Sequence, residues 1–155
     1  VSAYGTGGQK VRDYGTCWDT FSIVFEYSHN VGIAFSSRQF NGYGTQPEGI
    51  RNRMFGPEGV LETAYGGAVL IRGNHFWRGG SSPAIYRDGA VTNIASFHKS
   101  ILSGDSSNPT VEPSVRSNLL TILGRTAAYR GELVRWDQLL EENEKLVMDM
   151  SGLKS

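Results

Sequence analysis

Alternating apolar and polar residues predict a pair of strands early in the chain. Apolar side chains recur at every second position from residue 21 to 27, namely Phe21, Ile23, Phe25 and Tyr27. This period of two is typical of a strand with one strongly apolar face. A second apolar run with Ile33, Phe35 and Phe40 follows after Asn30 and Gly32, which both tolerate positive φ. The pattern therefore predicts a β-hairpin between residues 19 and 40.

The length of the hairpin loop decides which side chains share a face. A two-residue loop at His29–Asn30 pairs Phe25 with Ala34 and mixes both faces. A three-residue loop at Ser28–Asn30 pairs Phe25 with Ile33 and gives one clean apolar face. The sequence leaves both registers open.

Glycine-rich turns divide the rest of the first half into short strands. The predicted strands span residues 9–12, 50–55, 60–64, 68–72 and 74–78, and residues 41–49 and 79–88 are predicted loops. Gly56–Gly59 contains Pro57, which suits the second position of a turn. Gly66 and Gly67 predict the next turn.

The second half has helical periodicity. Apolar residues at helical spacing predict a helix that begins near Ala90 and ends at Gly104. These residues are Val91, Ile94, Phe97, Ile101 and Leu102. Residues 111–130 form the strongest predicted helix, with Pro113 in its first turn and Gly131 at its C′ position. A short strand at 133–136 and a helix capped by Asp137 that runs to Lys145 complete the prediction.

Strands followed by helices predict an α+β fold, with a mainly antiparallel open β-sheet and helices packed on one face. The length of 155 residues suits one domain, and we expect a single domain over residues 1–155.

Composition and charge exclude several classes of protein. The formal net charge is zero, and no basic stripe with interleaved aromatic residues occurs, so we expect no nucleic-acid partner. No apolar run approaches the roughly 20 residues of a membrane span. The chain has no signal-peptide core at its start, and Cys17 is its lone cysteine. These features favour the cytoplasm, with the periplasm as the alternative.

No self-sufficient catalytic motif is present. The segment Gly5–Lys10 (GTGGQK) lacks the third glycine of a dinucleotide-binding loop, and a plain turn or a loop between strands is the favoured interpretation. The three histidines are scattered, and no His, Cys, Asp or Glu cluster has metal-ligand spacing, so no metal site is predicted. The sequence thus predicts no catalytic residue in this chain.

Several segments together carry a family resemblance. Residues 111–131 (VEPSVRSNLLTILGRTAAYRG), then Val134–Asp137 (VRWD) and residues 149–154 (DMSGLK), resemble the end of a protein of the glucose–fructose oxidoreductase / inositol dehydrogenase (Gfo/Idh/MocA) family. Trp18–Phe21, Arg38-Gln39, Gly56–Gly59 and the helix from Ile94 to Gly104 are similar to parts of the same C-terminal domain. The resemblance extends over nearly the whole chain.

The resemblance implies an NAD(P)-dependent parent oxidoreductase that acts on a sugar or polyol. The family's Rossmann fingerprint, its Glu-Lys-Pro motif with the catalytic lysine and its later Asp/His motif do not occur in these 155 residues. The chain would then be the C-terminal substrate and oligomerisation domain. It would hold no cofactor itself, would not be catalytic alone and would work with an N-terminal Rossmann domain that binds NAD or NADP.

The end of the hairpin is the predicted substrate contact. Arg38 and Gln39 close its second strand and offer donors and acceptors suited to hydroxyl-rich ligands. Trp18 could stack on a sugar face, and Asp19 could accept a bond from a hydroxyl. The alternative is structural, with an Asp19–Arg38 ion pair and Trp18 packed at the edge of the sheet.

Other functions stay open. The chain could be a non-catalytic binding or assembly module, or part of a glycoside hydrolase that uses NAD within the same fold family. We also expect a homo-oligomer formed through the uncovered sheet face. Its apolar patch would contain Val24, Ile33 and Phe35, or Phe21 and Phe25 in the other register.

Overall fold

The computed structural model describes residues 1–44, 49–81, 85–145 and 147. The chain divides into two compact units. The first unit combines Val1–Phe40 with Pro109–Ser155, and the second is Asn41–Asn108. The expectation of one domain over residues 1–155 stays a prediction.

Eight strands and three helices follow one another in the described part of the chain. In order they are β1 (Ser2–Gly8), β2 (Thr20–Glu26), β3 (Gly32–Arg38), β4 (Arg51–Phe55), β5 (Gly59–Ala64), β6 (Ala68–Gly73), β7 (Trp77–Ser81), α1 (Ile85–Ser103), α2 (Val111–Arg130), β8 (Val134–Arg135) and α3 (Trp136–Glu142). The strands form two antiparallel four-stranded sheets, one with the order β3-β2-β1-β8 and the other with the order β4-β5-β6-β7. The α+β class predicted from the sequence is confirmed. No helix among the described residues is both long and apolar enough to cross a membrane.

The hairpin between β2 and β3 adopts the three-residue loop. Ser28–Asn30 form a single 3₁₀ turn, and the amide of Tyr27 donates to the carbonyl of Val31 at 2.8 Å. His29 and Asn30 have positive φ, so the histidine takes the role that the sequence assigned to Gly32. Phe25 pairs with Ile33, so of the two registers left open by the sequence the structure has the one with a clean apolar face.

Helix α2 covers that apolar face and completes the core of the first unit. Its bounds, Val111–Arg130, are those predicted, and Gly131 follows in the left-handed conformation. The buried side chains come from both layers: Ala3, Ile23, Phe25, Leu123, Ala127, Ala128, Val134 and Leu139. Strand β2 supplies the large residues Ile23 and Phe25, and α2 supplies Ala127 and Ala128 beside Leu123, so the helix can approach the strands closely.

Glycines in β1 and α2 permit this close approach. A Cβ on Gly5 would lie 2.9 Å from Cγ1 of Ile23 and 3.4 Å from Cβ of Ala128. A Cβ on Gly124 would lie 2.6 Å from Cζ of Phe25. Both contacts are too short for any other residue without rearrangement.

The strand predicted at residues 9–12 is absent, and β1 covers Ser2–Gly8 instead. The glycines of the Gly5–Lys10 segment suggested a turn, but Gly5 and Gly7 are strand residues. Each faces the neighbouring β2, where a side chain on Gly7 would collide with the carbonyl oxygen of Thr20. Close packing, rather than turn geometry, explains these glycines.

The second sheet follows the predicted meander through β6, and its last strand and the next helix are shifted. β7 spans Trp77–Ser81 rather than residues 74–78, and α1 begins at Ile85 within the predicted 79–88 loop. A bulge displaces the register of β6 and β7 between Val69 and Leu70. The end of α1 at Ser103, followed by Gly104 with φ of 67°, agrees with the prediction.

The prediction for the final helix is wrong, and the apolar stripe of α1 is not buried. The final helix is capped by Arg135 rather than Asp137, and it ends at Glu142. The apolar stripe of α1 is exposed to solvent; Val91, Ile94 and Phe97 are 65%, 70% and 69% exposed. Periodicity thus located α1 but did not show what its apolar side packs against.

Candidate functional site

The four predicted contact residues meet at one end of the first sheet. Trp18 and Asp19 immediately precede β2, and Arg38 and Gln39 lie at the end of β3. Arg38 pairs with Thr20 in the ladder, and the amide of Gln39 donates to the carbonyl of Asp19 at 2.8 Å. The hairpin register therefore brings the two halves of the site together.

Asp19 is the one fully buried charged residue of the described chain. One carboxylate oxygen, Oδ1, accepts from the amide of Lys10 at 2.9 Å, and it also accepts from the hydroxyl of Thr20 at 2.9 Å. The other, Oδ2, accepts from the amides of Val11 and Arg12 at 2.8 and 2.9 Å. The carboxylate thus fastens the loop after β1 to the start of β2.

These donors act on the charge of Asp19. The amide of Arg12 is the largest influence, and those of Lys10 and Val11 and the hydroxyl of Thr20 act in the same direction. Together they hold the pKa of Asp19 well below its usual range, against an opposing contribution from burial. Asp19 is therefore a carboxylate at neutral pH, and its oxygens are engaged within the protein.

Trp18 packs on helix α2 rather than standing free. Its indole stacks on the ring of Tyr129, with centroids 4.1 Å apart and an angle of 15° between the planes. The backbone amide of Trp18 also donates to the hydroxyl of Tyr129 at 3.3 Å. One face of the indole is thus occupied by a protein ring.

Gln39 and Arg38 differ in how firmly they are held. The carbonyl of Gln39 accepts from a guanidinium nitrogen of Arg12 at 3.2 Å, and its side chain donates to the hydroxyl of Ser37 at 3.3 Å. Arg38 is exposed and forms no ion pair with Asp19. The alternative of an Asp19–Arg38 ion pair is therefore wrong, because the carboxylate already binds four other donors.

Sequence reasoning missed a groove beside this site, between β3 and α2. The groove encloses about 280 Å³ and has apolar walls that include Phe21, Phe35 and Ile122. Ser37 and Arg125 add a hydroxyl and a guanidinium to its lining. Its existence depends on how far α2 extends across the sheet, for which the sequence carries no local signal.

The described ranges contain no group of three or more His, Cys, Asp or Glu residues that could hold a metal ion. Cys17, which the sequence left without a partner, lies exposed at the surface beside Trp18. What the site offers chemically is therefore hydrogen bonding from Arg38 and from the polar groups around it.

Comparison with known proteins gives a likeness in structure. No family model matches the chain, and no curated protein matches it. A solved structure described as a "putative oxidoreductase from Thermotoga maritima" superposes with a TM-score of 0.62 and 19% sequence identity. The match covers 86% of this chain and 39% of that chain. This chain thus shares a fold with that protein and spans less than half of its length.

Proposed function

We propose that this chain is the C-terminal domain of a sugar or polyol oxidoreductase of the Gfo/Idh/MocA type. The observation that carries the proposal is the shared fold with a protein described as an oxidoreductase. The sequence resemblance at residues 111–131 and at Trp18–Phe21 supports the same assignment independently. In this proposal the domain forms one wall of the substrate cleft and part of an oligomer interface.

In this proposal the domain binds substrate and leaves the redox chemistry to the rest of the parent protein. NAD or NADP would be held by an N-terminal Rossmann domain, where it would supply hydride transfer. This chain's residues would orient the substrate by hydrogen bonds to its hydroxyl groups.

Arg38 is the proposed substrate contact, and its neighbours are proposed to position it. Its guanidinium is exposed, and a planar fork of donors suits vicinal hydroxyls. Gln39 adds donor and acceptor capacity beside it. Asp19 fixes the adjoining loop, and Trp18 braces the strand end against α2 through Tyr129.

The decisive experiment uses the full-length parent protein. We expect reduction of NAD or NADP, followed by absorbance, with at least one member of a panel of sugars and polyols. Arg38→Ala should lower kcat/KM by roughly tenfold or more, which corresponds to losing about 1.4 kcal/mol of transition-state binding. Its melting temperature should stay unchanged.

Arg116→Ala is the matched control. Arg116 is an exposed arginine on α2 that pairs with Glu112 at 2.9 Å, and its loss should leave turnover unchanged. Sugar release without net cofactor reduction would point instead to an NAD-using hydrolase. No turnover on any substrate would favour a binding module. A loss of turnover matched by lost stability would show that Arg38 is structural.

A second measurement concerns this chain alone. Because the cofactor is proposed to bind elsewhere in the parent, calorimetric titration of the 155-residue chain with NAD(H) or NADP(H) should give no saturable heat. Saturable binding at micromolar affinity would contradict the proposal that the cofactor binds outside this chain.

A further inference from the structure

Strand β3 is a free edge of the first sheet and has few of the features that protect edge strands. It is seven residues long, Gly32–Arg38, and contains no proline and no lysine. Its pairing with β2 is continuous, without a bulge. Ile33 and Phe35 are 43% and 47% exposed along it. A long, regular, apolar edge of this kind is a template for another strand.

The ladder with β2 determines which backbone groups are free. The pairs Tyr27–Val31 and Asp19–Gln39 are both hydrogen-bonded pairs. Hydrogen-bonded pairs alternate along an antiparallel ladder, so the odd-numbered residues of β3 bond to β2. The amides and carbonyls of Gly32, Ala34, Ser36 and Arg38 therefore point outward.

We infer that β3 pairs with β3 of a second copy of this chain, antiparallel and related by a two-fold axis through Phe35. This alignment opposes Gly32 with Arg38 of the second copy and Ala34 with Ser36, and it uses all seven residues. At each of these pairs the free amide and carbonyl of one copy face the free carbonyl and amide of the other, so backbone hydrogen bonds can form between the copies. The two sheets would join into one continuous sheet.

Charge complementarity selects this occupant. Within one copy, Gly32 pairs with Glu26 of β2, so the Arg38 of the second copy lies in the same row as that glutamate. Strand β2 of the first copy and β3 of the second copy are about 10 Å apart, with β3 of the first copy between them. At this position the intervening residue is Gly32, which has no side chain to obstruct the guanidinium. Glu26 and Arg38 are both exposed, and neither forms an ion pair within the described part of the chain. The two-fold axis makes the Glu26–Arg38 contact twice.

Pairing at this edge differs from association through the uncovered sheet face. That face carries Tyr4, Val24 and Ala34, while Ile33 and Phe35 lie with Phe25 on the helix side. The edge pairing goes beyond the proposed function, since it requires neither a cofactor nor a substrate, but it gives Arg38 a partner besides the proposed substrate. A loss of turnover in Arg38→Ala therefore counts as a lost substrate contact only where the variant keeps the oligomeric state of the wild type.

A charge exchange on the 155-residue chain tests the ionic contact. Sedimentation equilibrium should show a dimer whose dissociation constant rises roughly tenfold or more in Arg38→Glu and in Glu26→Arg, since each puts like charges together. The double variant should restore dimerisation to within a few-fold of the original. A wild-type monomer at every concentration, or a double variant as weak as the single ones, would overturn the inference.

A backbone test is independent of charge. Ala34→Pro removes an outward amide without breaking the ladder to β2, and edge strands tolerate proline there. Ala34→Thr keeps that amide and is the matched control. We expect Ala34→Pro to dissociate the dimer while circular dichroism stays that of the folded chain, and Ala34→Thr to remain dimeric. Dimerisation of Ala34→Pro at wild-type strength would overturn the inference.

Disulfide trapping separates the edge from the open face. In a background with Cys17→Ser, Phe35→Cys places two thiols at the two-fold axis, where opposed residues of a non-hydrogen-bonded pair are about 4.5 Å apart at Cα. This spacing suits a disulfide. Oxidation should give a covalent dimer with Phe35→Cys and little with Val24→Cys. The reverse result would assign the dimer to the open face.

Discussion

The two units have sheets of the same size and differ in what they bury. Each contains a four-stranded antiparallel sheet. Among the described residues, every buried side chain lies in the first unit, and those of the second unit are exposed or half-buried. Strand pairing alone therefore does not make a core in this protein. A helix must also fit the face of the sheet.

The composition of the two long helices explains the difference. Toward the sheet, α2 presents Leu123, Gly124, Ala127 and Ala128, small residues apart from one leucine. Large residues on the sheet, such as Phe25, fill the remaining space. Helix α1 carries its large apolar residues on an exposed surface. Complementary sizes on the two layers, rather than hydrophobic content, distinguish the packed helix from the exposed one.

The largest expected effect is at the centre of the first core. Leu123 is 0% exposed, so Leu123→Ala should lower the free energy of unfolding by about 2–5 kcal/mol through lost burial and a cavity. Urea unfolding followed by tryptophan fluorescence in a Trp77→Phe background reports this, because Trp18 and Trp136 belong to the first unit.

The matched variant is Leu61→Ala, at a half-buried leucine of β5 in the second unit. It should leave the fluorescence transition of the first unit unmoved. A shift as large as that of Leu123→Ala would mean that the two units unfold as one, and the comparison would fail.

An intermediate effect is expected from adding a single methyl group. In Gly124→Ala the new Cβ would lie 2.6 and 2.9 Å from Cζ and Cε1 of Phe25. Overpacking of this kind costs about 1–3 kcal/mol, which should exceed the gain in helix propensity of about 1 kcal/mol. Urea midpoints of Gly124→Ala and of Ser117→Ala, an exposed position of α2, give the comparison. A stabilised Gly124→Ala would show that α2 can shift away from the sheet.

The remaining effect depends on pH. The folded-state pKa of Asp19 lies below that of the unfolded chain. The stability that this carboxylate contributes is therefore present above the unfolded value of about 3.9 and is lost as pH falls toward the folded value. Melting temperatures of the wild type and Asp19→Asn should differ at neutral pH and converge below about pH 4. If the two melting temperatures differed by the same amount at neutral pH and below about pH 4, the charge of Asp19 would not be what stabilises the fold.

Local signals in the sequence predicted the parts of the fold that are set locally. The bounds of α2 followed from Pro113 and Gly131, and the hairpin followed from the alternation around Phe25. Because a hairpin returns the chain to where it started, the same pattern also predicted that Asp19 and Arg38 lie at one end of the sheet. Its register stayed open, because both loop lengths were compatible with the same residues.

Contacts between distant segments were not predictable in this way. Asp19 binds amides at residues 10–12, and Trp18 stacks on Tyr129, more than a hundred residues away. Nothing at residues 10–12 marks them as donors to a carboxylate, because every residue except proline carries the same backbone amide. The roles of Asp19 and Trp18 therefore depend on neighbours that no local pattern identifies.

The first unit is discontinuous, and this has a consequence for synthesis on the ribosome. Strands β1 to β3 are complete by Arg38, but Leu123 of α2 is translated 85 residues later, after the whole of the second unit. At about 5–20 residues per second, the apolar face with Ile23 and Phe25 waits roughly 4–17 s for its helix. A nascent chain that contains β1 to β3 but not yet α2 should therefore depend on chaperones that bind exposed hydrophobic segments.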